Sequence, residues 1–440
     1  MRFSALIVSL TFAIVAANTS AHAAKPEAPY LSNSQFQQCL NNLKSTSKFK
    51  GVSSSTFEQY RPSEPDPSVI QSLNYQPEFQ KDVWDYVSAL VDEERVQDGI
   101  AAKYKWADTL RRIEARYGVK AEDVLGVWGV ESNFGQTLGK KNLFSSLATL
   151  SCFDRRQSYF RGEYANALKI VQNGDIYAHD MTGSWAGAFG QTQFMPSTFL
   201  ELAVDFNGDG RKDLVNSVPD ALASTANFLA KRGYRSGEPW GYEVKLPDGY
   251  WAASSRKNKK SISHWRNQGL TLPDGSPLPY DLSTAGLLLP AGSDGPAFLV
   301  GKNFDTFYAY NASENYALGI AQLSHLIEKE DAVNIGFNTP WPTDDPGIGR
   351  RQAREIQQAL LDAGYDIGAV DGIIGDATRG AIQDYQQQHG IFPADGRAGQ
   401  KFYNQIINPK TSNHNYQPRM SNPQNQQDGI SRIIQQKNSW

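Results

Sequence analysis

The chain is poor in cysteine: Cys39 and Cys152 are the only two in 440 residues. Neither has the histidine neighbours that would activate a thiol, so cysteine catalysis is not expected. In an oxidising compartment an even pair reads as a disulfide, a staple worth roughly 3–5 kcal/mol for a closed loop of this length. Charge of one sign is lacking too. With 43 Lys and Arg against 46 Asp and Glu, and no long basic run, the chain offers no field for nucleic acid. Beyond the N-terminus no apolar run approaches the ~20 residues that span a bilayer, so no integral membrane segment is expected in the mature protein. No tandem repeat is seen.

What the chain does have begins at Met1. Arg2 supplies a positive charge, an apolar run follows from Phe3 to Ala17, and Ala21-His22-Ala23 offers the small-x-small pattern of a signal peptidase site. Residues 1–24 are therefore expected to be a secretory signal peptide. No Cys stands beside the cut, so no lipid anchor is expected there. Aromatics are plentiful, with 20 Tyr, 21 Phe and 9 Trp, which suits the stacking of sugar rings and equally an ordinary core.

A length of 440 implies two or more domains. Residues 25–330 read as one mostly helical unit, opened by a short disordered leader. Apolar residues recur at helical spacing from Gln76 to Gly99, through Phe79, Val83, Val87, Leu90 and Val91. The pattern predicts further helices over 100–117, 120–130, 159–172, 196–204, 219–232 and 313–330. Between Tyr234 and Tyr310 it loosens into short β-like runs, such as Trp240–Leu246 and Ala297–Val300. Residues 331–349 are rich in Pro, Gly and Asp and read as a linker. Residues 350–407 form a compact helical unit, and 408–440, rich in Asn, Gln and Ser, a disordered tail. The expected fold class is mainly α, with a small mixed α/β insertion.

One segment carries chemistry. Val124-Leu125-Gly126-Val127-Trp128-Gly129-Val130 is apolar nearly all round, hence a buried helix, yet it ends in Glu131. Val127 and Trp128 lie four and three residues before Glu131 and share its face. Gly135 supplies the stop. Desolvation and the negative end of the helix dipole both disfavour the ionised carboxylate. A neutral acid so held can protonate a glycosidic oxygen and then act as a base. A second segment, Gly183 to Phe199, interleaves small residues with aromatics, and its Ser184 and Gln193 can hydrogen-bond hydroxyl or acetamido groups.

Together, Glu131-Ser132 after a buried helix, Ala186-Gly187-Ala188-Phe189-Gly190, and Gln193-Phe194-Met195-Pro196-Ser197 resemble the lytic murein transglycosylase B family. Gln76-Pro77-Glu78-Phe79, Trp84, Tyr86, Glu238-Pro239-Trp240-Gly241, Tyr310-Asn311, Tyr316-Ala317 and Leu323 extend the likeness over roughly residues 34–330. The resemblance implies a goose-lysozyme-like catalytic domain that cuts the N-acetylmuramic acid–N-acetylglucosamine bond of peptidoglycan without water. Glu131 would be the sole general acid/base, closing a 1,6-anhydro ring. Ser184, Gln193 and Phe194 would line the sugar site, with Tyr310, Asn311 and Tyr316 near the acid. No second acid stands in comparably apolar surroundings; Asp154, Glu163 and Asp180 read as surface or capping residues. Phe228, where the family pattern has Tyr, can stack but not hydrogen-bond. The implied partners are peptidoglycan glycan strands, the implied setting the periplasm of a Gram-negative bacterium, and the expected state a monomer.

Asp205-Phe206-Asn207-Gly208-Asp209-Gly210-Arg211-Lys212-Asp213 opens like an EF-hand loop, with oxygen ligands at positions one, three, five and nine and Gly at six. Asn216 replaces the expected Glu at twelve, and Asp220 is the candidate for a later closing ligand. The possible metal set is thus Asp205, Asn207, Asp209, Arg211, Asp213 and Asp220, holding a structural Ca2+. The alternative is a metal-free Asx/Gly turn. No cofactor is expected for the chemistry itself. Finally Asp371-Gly372, Thr378, the helix to His389 and Asp395-Gly396 resemble the peptidoglycan-binding domain 1 family, a three-helix module.

Overall fold

Caps and glycine stops divide the chain into helices in the computed structural model, which describes residues 31–72, 81–153, 156–251 and 253–408. The expected signal peptide, the tail beyond Asn408, the Gln76-Pro77-Glu78-Phe79 motif and Asp154 lie outside the described residues. Helix α1 (Asn33–Lys44) starts from a capping box in which Ser32 and Gln35 satisfy each other's N–H groups. Short α2 (Ser54–Gln59) and α3 (Pro67–Ser72) lead to α4 (Val83–Leu90), α5 (Glu93–Lys105) and α6 (Ala107–Tyr117). The apolar spacing predicted a single boundary here, between Gly99 and Ile100. The chain instead breaks at Val91-Asp92 and at Trp106. Asp92 caps α5 by accepting the Arg95 N–H at 2.8 Å, and a cap of this kind outweighs continuous periodicity.

Helix α7 (Ala121–Ser132) is followed by α8 (Leu143–Phe153), α9 (Gln157–Gln172), α10 (Pro196–Leu202) and α11 (Val218–Lys231). The spacing did not reveal α8, because it is apolar nearly all round and shows no polar face to set a period. Two-residue strands β1 (Lys141–Asn142) and β2 (Thr182–Gly183) pair antiparallel. Next come β3 (Gly241–Val244), α12 (Ile262–Asn267), β4 (Gly286–Leu288) and β5 (Ala297–Val300). The sheet order is β3-β5-β4, antiparallel, with Val300 opposite both Gly241 and Gly286. This insertion has a core of its own, built on Val244, Ile262, Trp265, Leu278, Leu287 and Leu299. Then α13 (Lys302–Asn311) and α14 (Glu314–Lys329) return to the main helical core.

In that core α7 lies against α5, α6, α11 and α14. Gly126 allows a close approach to the α14 backbone, since a Cβ there would stand 2.9 Å from the Ile320 carbonyl oxygen. Residues 331–349, read from composition as a linker, are tied down. The Glu243 carboxylate accepts the N–H groups of Asn338 (2.7 Å) and Thr339 (2.6 Å). Phe337 meets Phe298 edge-on, and Trp341 lies near Trp84. Three further helices, α15 (Arg350–Asp362), α16 (Asp376–Gln388) and α17 (Gln400–Ile407), enclose a small core of Ile356, Leu360, Ile382, Tyr385 and Phe402.

Cys39 of α1 and Cys152 of α8 form a disulfide across a sequence separation of 113. Replacing both with serine is expected to lower the unfolding free energy, read from urea denaturation, by roughly 3–5 kcal/mol. An unchanged midpoint would mean that the α1–α8 contact is closed equally well without the bond.

Candidate active site

The geometry of Glu131 follows from the helix that carries it. Asp123 through Gly129 are buried in α7, and the chain then leaves the helix through three successive left-handed residues, Asn133 (φ 49°), Phe134 (φ 57°) and Gly135 (φ 83°). Two of these are not glycine, and each such residue costs about 1–2 kcal/mol that its surroundings must offset. Phe134 lays its ring edge-on to Trp128 at 5.5 Å. Ser132 Oγ donates to the Gln191 carbonyl (2.6 Å) and accepts the Gly135 N–H (3.0 Å). Glu131 thus sits where an all-apolar helix reaches a rigid turn, partly exposed, as an acid that meets a substrate must be.

Burial holds the Glu131 carboxyl up at about 8, well above the usual carboxylate range; the Tyr316 hydroxyl, which donates to Oε1, pulls the other way. Tyr316 enters on the first turn of α14, whose cap Ser313 accepts the Tyr316 N–H. Tyr310, near the end of α13, donates to the Thr192 carbonyl at 3.1 Å. Both phenols are pushed well above their ordinary range, first by burial and then by the nearby Glu131 charge, so they stay donors. Tyr310, Phe194 and Phe228 form an aromatic cluster, with ring centroids 4.5 Å apart for Phe228 and Tyr310 and 5.9 Å for Phe194 and Tyr310. Phe228 takes the stacking role that its apolar ring permits, and Phe194 is fully buried.

Glu131, Tyr316, Tyr310 and Phe194 are therefore brought together. Asn311, next to Tyr310, ends α13 exposed, and among the described residues no hydrogen bond ties its side chain to these groups. Ser184 and Gln193 act on the loop that carries them. Ser184 Oγ accepts the Ala188 N–H at 3.0 Å. Gln193, left-handed at φ 49°, donates its amide to the carbonyls of Gly190 (2.8 Å) and Leu138 (3.2 Å). Gly183 is required just before Ser184, since a Cβ there would collide with the Ala188 carbonyl. Sequence reasoning passed over Gln191, the buried hub of this site. Its Oε1 accepts Trp128 Nε1–H (3.1 Å), its Nε2 donates to the Val215 carbonyl (3.0 Å), and its own carbonyl holds Ser132. A lone Gln inside a Gly/Ala-rich loop gives no sequence signal of such a role.

The acids set aside earlier divide. Glu163 is buried and caps α10, accepting Ser197 N–H (2.8 Å) and Oγ–H (2.7 Å), while Asp180 accepts the Asn216 amide at 3.1 Å. Another buried acid lies on the catalytic helix itself. Asp123, at the start of α7, is enclosed and held by the Tyr234 and Ser324 hydroxyls, and burial raises it. Eight residues of helical rise place it about 12 Å from Glu131 along the axis.

With the site described, comparison with known proteins decides the family. A model described as the transglycosylase SLT domain matches residues 35–325, and one for a peptidoglycan binding domain matches 350–406. The chain belongs to the transglycosylase SLT family. SltB3 of Pseudomonas aeruginosa, solved in complex with NAG-anhNAM-pentapeptide, is 41% identical, with a TM-score of 0.66 over 84% of this chain and 99% of that one. The membrane-bound lytic murein transglycosylase B of Escherichia coli (strain K12) is 34% identical over 248 residues, 55% of this chain and 66% of that protein, just under two thirds of its length. The E. coli lytic transglycosylase Slt35, solved in complex with calcium, is 30% identical, with a TM-score of 0.57 over 68% of this chain and 94% of that one.

In the 205–220 loop of the SLT domain the acidic side chains face backbone N–H groups. The carboxylate of Asp220, the candidate closing ligand, is buried and accepts the N–H groups of Phe206 (2.9 Å), Asn207 (3.2 Å) and Asp213 (3.0 Å). Asp205 accepts those of Gly208 and Gly210, and Asp213 those of Val215 and Asn216. Asn207 and Asp209 bond within the loop, and the Arg211 guanidinium meets the Asp175 carbonyl, the face of Tyr177 and the Asp213 carboxylate. Among the described residues no group of three or more His, Cys, Asp or Glu is placed to hold a metal. These bonds are those of the Asx/Gly turn that the sequence offers as the metal-free alternative.

Two outcomes follow. Tyr316→Phe removes the hydrogen bond that favours ionised Glu131, so the Glu131 midpoint, followed by the pH profile of turnover, is expected to move further up, by about one unit; a shift downward would contradict the assignment. Calcium at 5 mM (about the millimolar range of weak sites) is expected to leave the melting temperature unchanged within about 1 °C. A rise of several degrees would show that the loop carboxylates turn from backbone to ion.

Proposed function

We propose that the protein is a lytic transglycosylase that cleaves the β-1,4 bond between N-acetylmuramic acid and N-acetylglucosamine in peptidoglycan, leaving 1,6-anhydro-N-acetylmuramic acid ends, with Glu131 as sole general acid/base. One observation carries this reading: a partly exposed carboxyl, kept protonated at neutral pH by burial, whose side-chain partner is a tyrosine that cannot itself act as a second carboxylate. Neutral Glu131 donates its proton to the bridging oxygen as the C1–O bond breaks. The resulting carboxylate, steadied by the Tyr316 hydroxyl, takes the proton of the muramic 6-hydroxyl as that oxygen bonds to C1. The acid is regenerated, no water enters and no cofactor is needed.

A retaining hydrolase wants a second carboxyl about 5–5.5 Å away, and an inverting one about 6.5–9.5 Å away. Asp123 lies beyond both distances and is enclosed, which favours the one-carboxylate scheme. SltB3, with 41% identity, has been solved with an anhydro-muramic fragment, which supports the same product. In this reading Ser184 and Gln193 shape the sugar site through the loop backbone, Phe194 and Tyr310 form its aromatic floor, and Asn311 meets substrate from the exposed end of α13. The proposed organisation is a signal peptide at 1–24, a catalytic domain at 25–330, a wall-binding module at 350–407 and a tail at 408–440, working as a periplasmic monomer on glycan strands. Among the described residues no helix is long and apolar enough to cross a membrane.

Glu131→Gln preserves shape and removes the transferable proton. It is expected to lower the release of soluble fragments from purified sacculi at least about 10³-fold while sacculus binding persists. Mass spectrometry of the wild-type digest is expected to show anhydro-ended muropeptides, and reducing ends in their place would establish hydrolysis instead. Burying a group whose folded midpoint is raised favours the protonated fold, so stability falls as pH rises through about 8. Glu131→Gln is accordingly expected to be more stable than wild type at pH 9 by thermal melting.

A further inference from the structure

Helix α15 opens with the wrong charges for its own dipole. Arg350 and Arg351 stand in its first turn, where cations are disfavoured, so they do not serve the helix. They serve a contact with the N-terminus of α5. Arg350 pairs with Asp92, Arg351 with Glu93 and Arg354 with Glu94. A second contact joins Arg397, before α17, to Asp85 of α4 through two bonds of 2.7 and 3.0 Å. Together with the anchored segment 331–349, these pairs hold the C-terminal module directly on the catalytic domain.

Arg350 differs from the others in what it reaches. Its Nε and Nη2 grip the Asp92 carboxylate at 2.8 and 3.0 Å, and its Nη1 donates to Asn133 Oδ1 at 2.8 Å. Asn133 is the first left-handed residue after the catalytic helix, two positions beyond Glu131. Its oxygen also accepts Arg95 Nε at 3.3 Å, and its amide donates to Gln136. Burial opposes the Asp92 charge, but Arg350 and the Arg95 N–H outweigh it and hold that carboxyl below its usual range, so the grip is fully charged at neutral pH. A strained turn persists only when its surroundings fix it. One of the side-chain ties on this turn comes from a module 217 residues away in sequence.

We infer that Arg350 is a positioning residue: it couples docking of the C-terminal module to the turn that sets the Glu131 carboxyl, so the module tunes turnover as well as holding the wall. This rests on the proposed activity of Glu131. The planar guanidinium is what makes the coupling, because a lysine ammonium can meet Asp92 but cannot also reach Asn133 in the same plane.

The test uses the full chain and a soluble peptidoglycan tetrasaccharide, which separates turnover from wall anchoring. Arg350→Lys keeps the docking charge and is expected to lower kcat about tenfold with KM within twofold. Asn133→Gly, which tolerates the left-handed turn, is expected to do the same. The double variant is expected to match either single one, because the two act through one bond. The pair Arg351→Met with Arg354→Met removes two partly exposed interface pairs but keeps the Arg350 grip on Asp92 and its bond to Asn133, so the module stays docked and kcat is expected to be unchanged. Unchanged kcat in Arg350→Lys, additive losses in the double variant, or an equal loss in the Arg351/Arg354 pair would each overturn the inference. Full turnover by Glu131→Gln in the same assay would sink the proposed function, and this inference with it.

Discussion

Keeping one carboxyl neutral at the surface end of a buried helix is the constraint from which most of the catalytic domain follows. Burial of this kind needs apolar cover on every side, and α5, α6, α11 and α14 supply it around α7. Such close cover leaves no room for side chains at certain positions, hence Gly126 against the α14 backbone and Gly129 against the Phe134 ring. The helix must then end abruptly, so that Glu131 meets solvent while the residues before it do not. The three left-handed residues achieve this, and Gln191 locks them by bonding to both Trp128 and Ser132. A carboxyl left with no donor would be too reluctant to ionise to act as a base. The Tyr316 hydroxyl moderates that reluctance without supplying a charge.

The C-terminal module enters the same account through its attachment. A flexible tether raises the local concentration of a polymer and nothing more. Here the intervening segment is pinned by Glu243 and the Phe337–Trp341 aromatics, and the module faces α4 and α5 with paired charges. Several of those pairs are exposed and individually weak. The Arg350–Asp92 pair is largely buried and bidentate, so the specificity of docking concentrates there.

In the 205–220 loop a ligand-like pattern of side chains also matches the backbone. Its Asp, Asn and Gly residues suit a cation and suit an Asx/Gly turn for the same reason, namely short oxygen-bearing side chains beside permissive glycines. Which result obtains depends on where the carboxylates point. Asp220 points inward because Ser217, which accepts its N–H, makes it part of the first turn of α11, and from there it faces the N–H groups of the loop.

Local chemistry was legible before any coordinates. The all-apolar run ending in Glu131, the partnership of Cys39 with Cys152, the loosened β-like insertion and the helical module after residue 350 all rest on interactions between near neighbours or on simple composition. What sequence could not reveal depends on distant segments meeting. Helix α8 escaped because a helix buried on all sides has no period, and the break at Asp92 because a cap is decided by which N–H it finds. Asp123 stands in the first turn of α7, where an acid is ordinary, and only the tertiary structure closes Tyr234 and Ser324 over it. Ser184 and Gln193 looked like free sugar-binding groups, and folding ties the Ser184 hydroxyl oxygen and the Gln193 amide nitrogen to the loop backbone as well. The sequence by itself determined that an acid would end a buried helix, since hydrophobic periodicity is a local property. Only the tertiary structure decided how strongly that acid holds its proton and what grips the turn behind it, because desolvation and hydrogen bonding are set by residues as distant in the chain as Tyr316 and Arg350.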